Sequence, residues 1–422
     1  MSAHPGPLAG MRVLELAQIM AGPTCGMMLA DMGADVIKVE KPEGGDDARG
    51  YREPRINGVS APFLILNRNK RGIAIDLKRP EGRAILLRMA ASADVLTENF
   101  RRGTMEKLGL GYDALSRINP GLIYCAISGY GREGPLADKG GFDLVAQGFA
   151  GLMSITGERG GAPVKNGNPV ADINAGLLAV SGIVAAYVHK LRTGRGQVVD
   201  TSLMEAALQQ TYWHAAAYFA TGVSPGPAGS AHLLTAPYQA FRAADGWINI
   251  GGANQANWER IADVLGHPEW RDDPRFATNS ARMENREALV ALMSDALATS
   301  SAAHWIAAFD AAGVPAGPVH SISDALSHPQ TRARGMMIDV AHPDAGEIQA
   351  LGCPLHFSLT PTAVTRPAPR LGEHTRDVLA EHGYAPAEID AFVQAGIVAA
   401  LDAPKELIVG SRPAERKPSE AA

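Results

Sequence analysis

The chain has 422 residues, with 39 Lys and Arg against 44 Asp and Glu, which gives a formal net charge of −5. This balance excludes the basic surface by which proteins bind nucleic acid or an anionic membrane through charge alone. With 46% hydrophobic and 20% charged residues, the composition predicts a soluble globular protein of two or three domains with a sizeable core.

The three cysteines are Cys25, Cys125 and Cys353, and no two of them form a CxxC pair. This spacing predicts neither a disulfide framework nor a structural zinc site, and the histidines show no metal-binding pair. The first ten residues lack the pattern of a targeting signal. Residues 173–188, the longest apolar stretch, are too few to span a bilayer. We therefore expect a buried helix there, in a cytoplasmic protein that binds no membrane and no metal.

The first two hundred residues alternate short runs of β-branched residues with helical patterns. Strands separated by helices of this length predict a parallel α/β sheet. Ligand-binding loops of such sheets form at strand ends, where Gly22, Pro42 and Gly129 lie. The predicted strands are MRVLEL, ADVIKVE, RGIAIDL, ADVLTENF, LIYCAIS and the end of TGRGQVVD, and the predicted helices cover residues 24–31, 80–93 and 173–188.

The second half of the chain has a different pattern. Residues 201–220 are expected to form one long helix, and the Gly-, Pro- and Ser-rich residues 222–230 a linker. YQAFRAADGWINIGG predicts two strands around a turn, with helices at 258–265 and onward to 312, which indicates a smaller α+β domain. A helix at 322–327, short strands and the Pro-rich residues 361–369 follow. The polar residues from 403 onward are predicted to be a disordered tail.

The segment GYGREG matches the GxGxxG fingerprint of dinucleotide-binding proteins through Gly129, Gly131 and Gly134. It follows a predicted strand, so an NAD-dependent oxidoreductase is one alternative. The fingerprint requires a helix that begins within the motif, whereas Pro135 and the Lys-Gly-Gly run at 139–141 would interrupt one. No acidic residue ends a following strand at the required distance either, which disfavours a nicotinamide site.

Asp172 lies between a glycine-rich loop and the apolar stretch that begins at residue 173. One interpretation is a helix N-cap, a role that Asp commonly has. The other is a nucleophile, because the N-terminus of a helix stabilises an ionised carboxylate and the loop glycines allow a substrate to approach closely. Composition and spacing leave both interpretations open.

The order and spacing of several segments carry a family resemblance. They are VLELAQIMAGPTCGMMLADMGADVIKVEKPEGGD, NRNKRGIAIDLKRPEG, DVLTENFRRGTMEKLGLGY, GYGREGP, the region of Asp172, KLRTGRGQVVD, PYQAF, GVPAGPV and LGEHT. Together they resemble the class III CoA-transferases, the CaiB/BaiF type that includes formyl-CoA and carnitine CoA-transferases. The resemblance extends from about residue 8 to residue 401. Local details such as VEKPEGGDDARGY and AGLMSITGE are most similar to the succinate-hydroxymethylglutarate type.

The resemblance implies an α/β fold in which a Rossmann-like large domain with a parallel sheet binds CoA and a smaller α+β domain is attached by linkers. Two ring-like chains would thread through each other as an interlocked homodimer. The implied division is 1–205 for the first part of the large domain, 206–230 for a helix and linker, 231–322 for the small domain, 323–402 for a linker and the return to the large domain, and 403–422 for the tail.

The resemblance also implies a chemistry for Asp172. As the family's catalytic aspartate it would attack an acyl-CoA thioester to form an aspartyl-acyl anhydride, and the released CoA would then form an aspartyl-CoA thioester. An enzyme carboxylate divides one difficult exchange into several easier steps. Backbone amides of the glycine-rich loops would stabilise each oxyanion. The CoA thioester is a substrate, and no permanently bound cofactor is implied.

The implied CoA site is spread over several segments. Lys41 and Lys107 stand where the formyl-CoA transferase pattern has arginines, which keeps the charge but removes bidentate pairing with phosphates. Gly251 and Gly252 resemble a short version of the family's mobile glycine loop. The residues implied for CoA are Gln18, Lys41, Ile75, Asp76, Leu77, Lys78, Asn99, Phe100, Arg101 and Lys107, with Gly140, Gly141, Phe142 and Asp143 near the pantetheine and thiol.

Two alternatives and a substrate hypothesis remain. The family also contains α-methylacyl-CoA racemases, which use a histidine as an acid/base group where this chain has Phe142. A CoA-binding protein without catalysis is the other alternative, and the presence of Asp172 argues against it. The working hypothesis is a CoA-transferase that uses succinyl-CoA or another dicarboxyl-CoA as donor, with Arg52, Arg55 or Arg68 as candidates for pairing the distal carboxylate.

Overall fold

The computed structural model describes residues 6–401, so the tail predicted from residue 403 onward lies outside the described residues. The first half of the chain alternates strands and helices, as its sequence pattern predicts. In chain order the elements are β1 (Arg12–Glu15), α1 (Ala21–Asp31), β2 (Asp35–Glu40), β3 (Arg55–Ile56), β4 (Val59–Ser60), α2 (Ala61–Leu66), β5 (Arg71–Ile75), α3 (Pro80–Ala90), β6 (Val95–Glu98), α4 (Thr104–Lys107), α5 (Tyr112–Ile118), β7 (Ile123–Ser128), α6 (Asp143–Phe149), α7 (Leu152–Ile155), α8 (Val170–Thr193) and β8 (Val198–Ser202).

The second half contains short antiparallel sheets and many helices. Single 3₁₀ turns occur at Asp47–Gly50 in the first half and at Pro268–Arg271 here. The elements are α9 (Leu203–Gln209), α10 (Tyr212–Thr221), β9 (Tyr238–Arg242), β10 (Trp247–Gly251), α11 (Gln255–Val264), α12 (Asn279–Glu284), α13 (Arg286–Leu297), α14 (Ala302–Ala311), β11 (Ala316–Pro318), α15 (Ile322–Ser327), α16 (Pro329–Ala333), β12 (Met337–His342), β13 (Gly346–Leu351), α17 (Thr375–Glu381), α18 (Pro386–Gln394) and β14 (Val398–Ala399).

A seven-stranded sheet with the order β14-β5-β2-β1-β6-β7-β8 organises the large part of the molecule. The strands from β5 to β8 are parallel, which confirms the predicted parallel α/β sheet. From β1 the chain proceeds to β2 and β5 on one side and then returns to β6 on the other. The strand order therefore reverses between β1 and β6, where doubly wound sheets bind their ligands at the carboxyl ends of the strands.

Both faces of this sheet are covered, because successive side chains of a strand point to opposite faces. In β1, Val13 packs with α1 and α8 on one face, whereas Leu14 packs with α3 and α17 on the other. The edge strand β14 pairs antiparallel with β5, with Val398 opposite Ile75. The end of the described chain is therefore part of the large sheet.

The predicted hairpin YQAFRAADGWINIGG is confirmed as β9 and β10, which pair antiparallel, and β11 adds a third strand. Its core is separate from that of the large sheet and contains Phe241, Trp258 and Phe309. The strands predicted after residue 327 are β12 and β13, which form a second antiparallel hairpin. Residues 222–230, expected to be a linker, contain neither helix nor strand.

The single helix predicted for residues 201–220 is wrong. Thr201 and Ser202 end β8, and the Ser202 side chain caps α9 by accepting a hydrogen bond from the Glu205 amide at 3.2 Å. The helix is interrupted again before α10, where the Thr211 hydroxyl donates to the Leu208 carbonyl at 2.8 Å. Ser and Thr side chains compete with helical backbone hydrogen bonds in this way.

Helix α8 corrects the prediction for residues 173–188. It has 24 residues, so by length and composition alone it is long and apolar enough to cross a membrane. It is not buried all round, because Leu177, Val188 and Leu191 are exposed. Its buried face packs on α1, and Gly176 permits close approach, since a Cβ there would lie 2.6 Å from the Ala21 carbonyl oxygen.

Candidate active site

The N-terminus of α8 opens onto a cavity of about 380 Å³ at the carboxyl ends of the parallel strands. The cavity lies at the point where the strand order reverses, because Gln18 follows β1 and Asn99 follows β6. Eight of the predicted site residues line this cavity: Gln18, Asn99, Phe100, Arg101, Gly140, Gly141, Phe142 and Asp172.

Asp172 lies in the first turn of α8, not at its N-cap, which is Pro169. The neighbouring Asp143, the first residue of α6, accepts a hydrogen bond from the Ala171 amide at 2.9 Å with Oδ1. The same oxygen is 3.5 Å from the Asp172 amide. Asp143 therefore satisfies the helix N-terminus from another element, and the Asp172 carboxylate remains on the cavity wall.

The environment of Asp172 disfavours its charge. Burial, followed by the negative charge of Asp143, raises the pKa of Asp172 to about 7. Desolvation and a like charge both favour the neutral carboxylic acid. The group consequently titrates near neutral pH, which is typical of acids that take part in chemistry.

Asp143 is held by a side chain that is itself fully buried. Gln147, one turn later in α6, donates to Asp143 Oδ2 at 2.6 Å. Its amide oxygen accepts a hydrogen bond from the Asn166 backbone at 2.8 Å. Gln147 thus links the acid beside Asp172 to the glycine-rich loop that precedes α8.

The backbone of the turn after β1 is held by side chains from neighbouring strand ends. Asn99 accepts from the Gln18 amide at 2.9 Å and donates to the Gln18 carbonyl at 2.8 Å. The next residue, Ile19, has a φ of 70° and lines the cavity. Non-glycine residues rarely adopt this left-handed conformation.

The GYGREG segment forms a loop after β7, and the next helix, α6, begins only at Asp143. It therefore lacks the helix that a dinucleotide fingerprint requires. Its glycines have a different use, because a Cβ on Gly129 would lie 2.7 Å from the Gly141 amide nitrogen. Arg132 of the same loop pairs with buried Glu98. The two glycines thus allow the loops of the cavity wall to touch backbone to backbone.

Comparisons with known proteins agree with this geometry. The family model for CoA-transferase family III matches residues 8–375. The succinate–glutarate CoA-transferase of Agrobacterium fabrum is 42% identical over 381 residues, which cover 89% of this chain and 95% of that protein. The chain belongs to CoA-transferase family III.

Further relatives support the assignment. The succinyl-CoA:glutarate CoA-transferase of Mus musculus is 38% identical over 375 residues, covering 89% of this chain and 86% of that protein. The crystal structure of a CaiB/BaiF family protein from Brucella suis superposes with a TM-score of 0.80 at 41% identity, covering 90% of this chain and all of that one. The resemblance is thereby confirmed, and this family III protein is an enzyme that transfers CoA.

Several residues that the family resemblance implied for CoA do not line the cavity. Lys41 is exposed and paired with Asp47 at 2.7 Å, although Asp47 itself is on the cavity wall. Ile75 is buried in the second face of the sheet. The others outside the cavity wall are Asp76 and Leu77, which are half-buried, Lys78 and Lys107, which are exposed, and Asp143, which lies behind Asp172.

The candidates for a distal carboxylate differ in availability. Arg68 is buried and bonded to Asp31 at 2.6 Å, at the opposite end of α1 from the cavity, so that hypothesis is wrong for Arg68. Arg55 donates to the Gly58 and Arg49 carbonyls. Arg52 follows Tyr51, whose pKa is raised by burial and by acids that include Asp172. Arg52 does not line the cavity, but it is exposed and makes no hydrogen bond or ion pair with another described residue, so it is the candidate left available.

The family's glycine loop is not at the cavity in the described chain. The Gly252 amide donates to the Pro237 carbonyl at 2.8 Å, and a Cβ there would lie 2.4 Å from that oxygen. Gly252 therefore serves the packing of the small sheet. Cavity residues that the sequence did not single out include Ile19, Asp47, Arg102 and Lys139. These residues follow different strands and share no motif, so the sequence alone does not indicate that they lie on one cavity wall.

Proposed function

We propose that this enzyme transfers CoA from succinyl-CoA or another dicarboxyl-CoA to a carboxylic acid acceptor through a covalent intermediate on Asp172. The observation that carries the proposal is the half-buried Asp172 carboxyl at the helix N-terminus, on the wall of the cavity where the strand order reverses. The names of the relatives in Agrobacterium fabrum and Mus musculus, which include succinate or succinyl-CoA and glutarate, support dicarboxylic substrates.

In the proposed reaction, ionised Asp172 attacks the thioester carbonyl, the C–S bond breaks and CoA leaves as the thiolate, which gives a mixed anhydride. The thiolate then attacks the aspartyl carbonyl and expels the donor acid as its carboxylate. The acceptor carboxylate attacks the carbonyl of the resulting aspartyl-CoA thioester, the C–S bond breaks, CoA leaves as the thiolate and a second anhydride forms. The thiolate finally attacks the acceptor carbonyl and frees Asp172, so no net proton is transferred.

The cavity offers donors for the tetrahedral oxyanions of this sequence. Gly140 and Gly141 line the cavity, and their amides make no hydrogen bond to another described residue. Each preorganised donor of this kind stabilises a transition state by about 3–4 kcal/mol. We propose that these two amides stabilise the oxyanions formed at the substrate or aspartyl carbonyl.

For CoA itself, we propose that the cations on the cavity wall pair with the phosphates. Arg101, Arg102 and Lys139 line the cavity, and Arg is suited to bidentate phosphate recognition. Lys41, Lys78 and Lys107 are exposed and outside the cavity wall. Their charges would attract the CoA phosphates at longer range. CoA binds as a substrate in this proposal, without a permanently bound cofactor or metal.

We further propose that Arg52 pairs with the distal carboxylate of the acyl group. It follows Tyr51, on which the charge of Asp172 acts, and Arg68 is already paired with Asp31. An arginine on that side would distinguish a dicarboxyl-CoA from a simple acyl-CoA, because a monocarboxylic acyl chain would leave the cation unpaired.

We propose a cytoplasmic, interlocked homodimer with the domain division implied by the family resemblance. The supporting observation is an apolar surface on α10, where Tyr212, Trp213 and Phe219 are 67%, 64% and 81% exposed. Apolar patches of this kind commonly mark protein interfaces. The pairing of β14 with β5 supports the return of residues 323–402 to the large domain.

The test is mass spectrometry of the peptide containing Asp172 after the protein is mixed with succinyl-CoA, followed by product analysis with a panel of carboxylic acids. The expected result is an acyl or CoA adduct on Asp172 and a new acyl-CoA. Asp172→Asn should give neither, whereas Asp138→Asn, on the same cavity wall, should retain both. No adduct with any donor, together with α-proton exchange in deuterated water, would replace the proposal with the racemase alternative.

A further inference from the structure

A cluster of four charged side chains lies beneath the cavity and has no part in the reaction proposed above. Lys38 and Lys70 pair with Glu15 at 3.2 and 2.9 Å, and Lys38 also pairs with Asp46 at 2.8 Å. All four side chains are completely buried. Buried ion pairs are weak evidence for stability, since apolar residues of similar volume often serve as well. Their geometry therefore calls for another explanation.

Two members of the cluster hold the turn between β1 and α1. Lys38 donates its third hydrogen bond to the Ala17 carbonyl at 3.0 Å. Asp46 accepts the Ile19 amide with both carboxylate oxygens, at 3.0 and 3.2 Å. Gln18 lies between Ala17 and Ile19, and its amide and carbonyl both bond to the Asn99 side chain. The polar backbone groups of this turn are thus bonded to side chains from the neighbouring strands.

This anchoring coincides with a strained backbone. Ile19 is β-branched and has a φ of 70°, a conformation that is unfavourable for such residues and persists only where the surroundings enforce it. Gln18, Ile19 and Met20 all line the cavity together with Asp172. The side chains of Gln18 and Met20 would change position if this turn relaxed.

We infer that Asp46 and Lys38 are positioning residues, which keep Ile19 in its left-handed conformation and thereby hold the Gln18–Met20 wall of the cavity opposite Asp172. The inference rests on the proposed function for its catalytic consequence. Burial alone would lower the pKa of Lys38, but the carboxylates of Glu15 and Asp46 raise it above its ordinary value. Lys38 consequently remains charged and keeps its three partners.

The first test compares Asp46→Asn with Asp31→Asn. Both changes remove the charge of a buried ion pair, but Asp31 pairs with Arg68 at the far end of α1. Asp46→Asn should lower kcat by about tenfold with little change in KM for the acyl-CoA, because misplaced catalytic geometry acts on the transition state. Asp31→Asn should leave kcat within about twofold. Equal kcat values for the two variants would overturn the inference.

The second test is rescue by glycine. Glycine adopts positive φ without steric cost, so Ile19→Gly reduces the strain that Asp46 must oppose. Adding Ile19→Gly to Asp46→Asn should restore kcat by at least about threefold relative to Asp46→Asn alone. A double variant as slow as Asp46→Asn would show that the loss has a cause other than the conformation of Ile19.

A third readout does not depend on the reaction. Amide hydrogen exchange in the peptide covering residues 17–21 should be about tenfold faster in Asp46→Asn than in the parent protein, and unchanged in Asp31→Asn. If the parent protein forms no Asp172 adduct, the proposed function fails, while faster exchange still supports the anchoring. Unchanged exchange in Asp46→Asn overturns the anchoring whatever the activity.

Discussion

At the scale of single residues, the proposed chemistry depends on a carboxylate whose surroundings oppose its charge. Asp172 is half-buried and has Asp143 as a charged neighbour. Burial and this neighbour together raise its pKa to about 7. In the proposed mechanism only the ionised carboxylate attacks, so a pKa of about 7 would leave part of the enzyme protonated and inactive at neutral pH. A higher pKa also makes an ionised carboxylate a stronger nucleophile, which offsets this cost.

The first prediction concerns pH. The kcat/KM for acyl-CoA should rise through a midpoint near pH 7 and fall about tenfold per unit below it, because only ionised Asp172 reacts. The measurement is a pH profile in one buffer system, with protein stability checked at each pH. A rate that is level between pH 5 and 8 would contradict the role of Asp172 or its raised pKa.

A second prediction follows for stability. The folded-state pKa of Asp172 is above its unfolded value, so between about pH 4 and 7 the folded state binds more protons and stability falls as pH rises. Asp172→Asn removes this penalty and should raise the melting temperature at pH 8 but not at pH 4. The measurement is thermal unfolding of the parent and Asp172→Asn proteins at pH 4 and pH 8. An equal change in melting temperature at the two pH values would contradict the raised pKa of Asp172.

A third prediction assigns part of the shift to Asp143. Asp143→Asn removes the negative charge beside Asp172; its single amide oxygen can still accept the Ala171 amide, although the hydrogen bond from Gln147 is lost. The midpoint of the pH profile should therefore move to lower pH. Asp138→Asn, which changes an exposed acid of the same cavity, is the matched control and should not move it.

At the scale of elements, the crossing of α1 and α8 sets where Asp172 lies. The N-terminal turns of both helices meet at the cavity, since Ala21 and Asp172 line the same wall. Gly176, one turn after Asp172, has no room for a side chain because of the Ala21 carbonyl. The position of Asp172 is thus coupled to the packing of two helices against the sheet.

The fourth prediction is that Gly176→Ala separates these helices. Overpacking of this kind costs about 1–3 kcal/mol of folding free energy, and the shift of α8 should lower kcat as well. Ser181→Ala, on an exposed position of the same helix, is the control and should change neither by much. Urea denaturation and steady-state rates give the two measurements. A fully stable and active Gly176→Ala enzyme would show that the helix crossing tolerates expansion.

At the scale of the whole molecule, the single chain exposes several large apolar side chains on two helices. They include Leu177 and Leu191 on α8 and the aromatic residues of α10. The composition, with 46% hydrophobic residues, is that of an ordinary soluble protein. A partner that covers these faces explains both facts, and the proposed homodimer supplies it.

The fifth prediction concerns assembly. Interlocked chains cannot separate without unfolding, so light scattering should give the mass of two chains even after dilution to nanomolar concentration. Unfolding should depend on protein concentration, because two chains are released in one transition. A folded, monomeric species on dilution would contradict interlocking, and comparison with Phe219→Asp would show whether α10 contributes to the interface.

The local patterns of the sequence predicted the strands of the large sheet, several of its helices and the candidate acid Asp172, but not the breaks in the helix predicted for residues 201–220. Runs such as ADVIKVE and LIYCAIS are strands because their apolar residues pack on both sheet faces, a property that is visible in the residues themselves. The same holds for Asp172, which follows a glycine-rich loop and begins an apolar helix. The order of such segments also identified the family, which the comparisons confirmed.

Only the tertiary structure decided how these parts act on one another. The raised pKa of Asp172 comes first from its burial and then from the charge of Asp143, which is 29 residues away in the chain. The amide of the left-handed Ile19 donates a hydrogen bond to Asp46, and the Arg68 guanidinium is paired with Asp31. These outcomes depend on which strand ends are adjacent and on burial. A sequence pattern reports the neighbours of a residue along the chain, whereas charge, strain and availability depend on its neighbours in space.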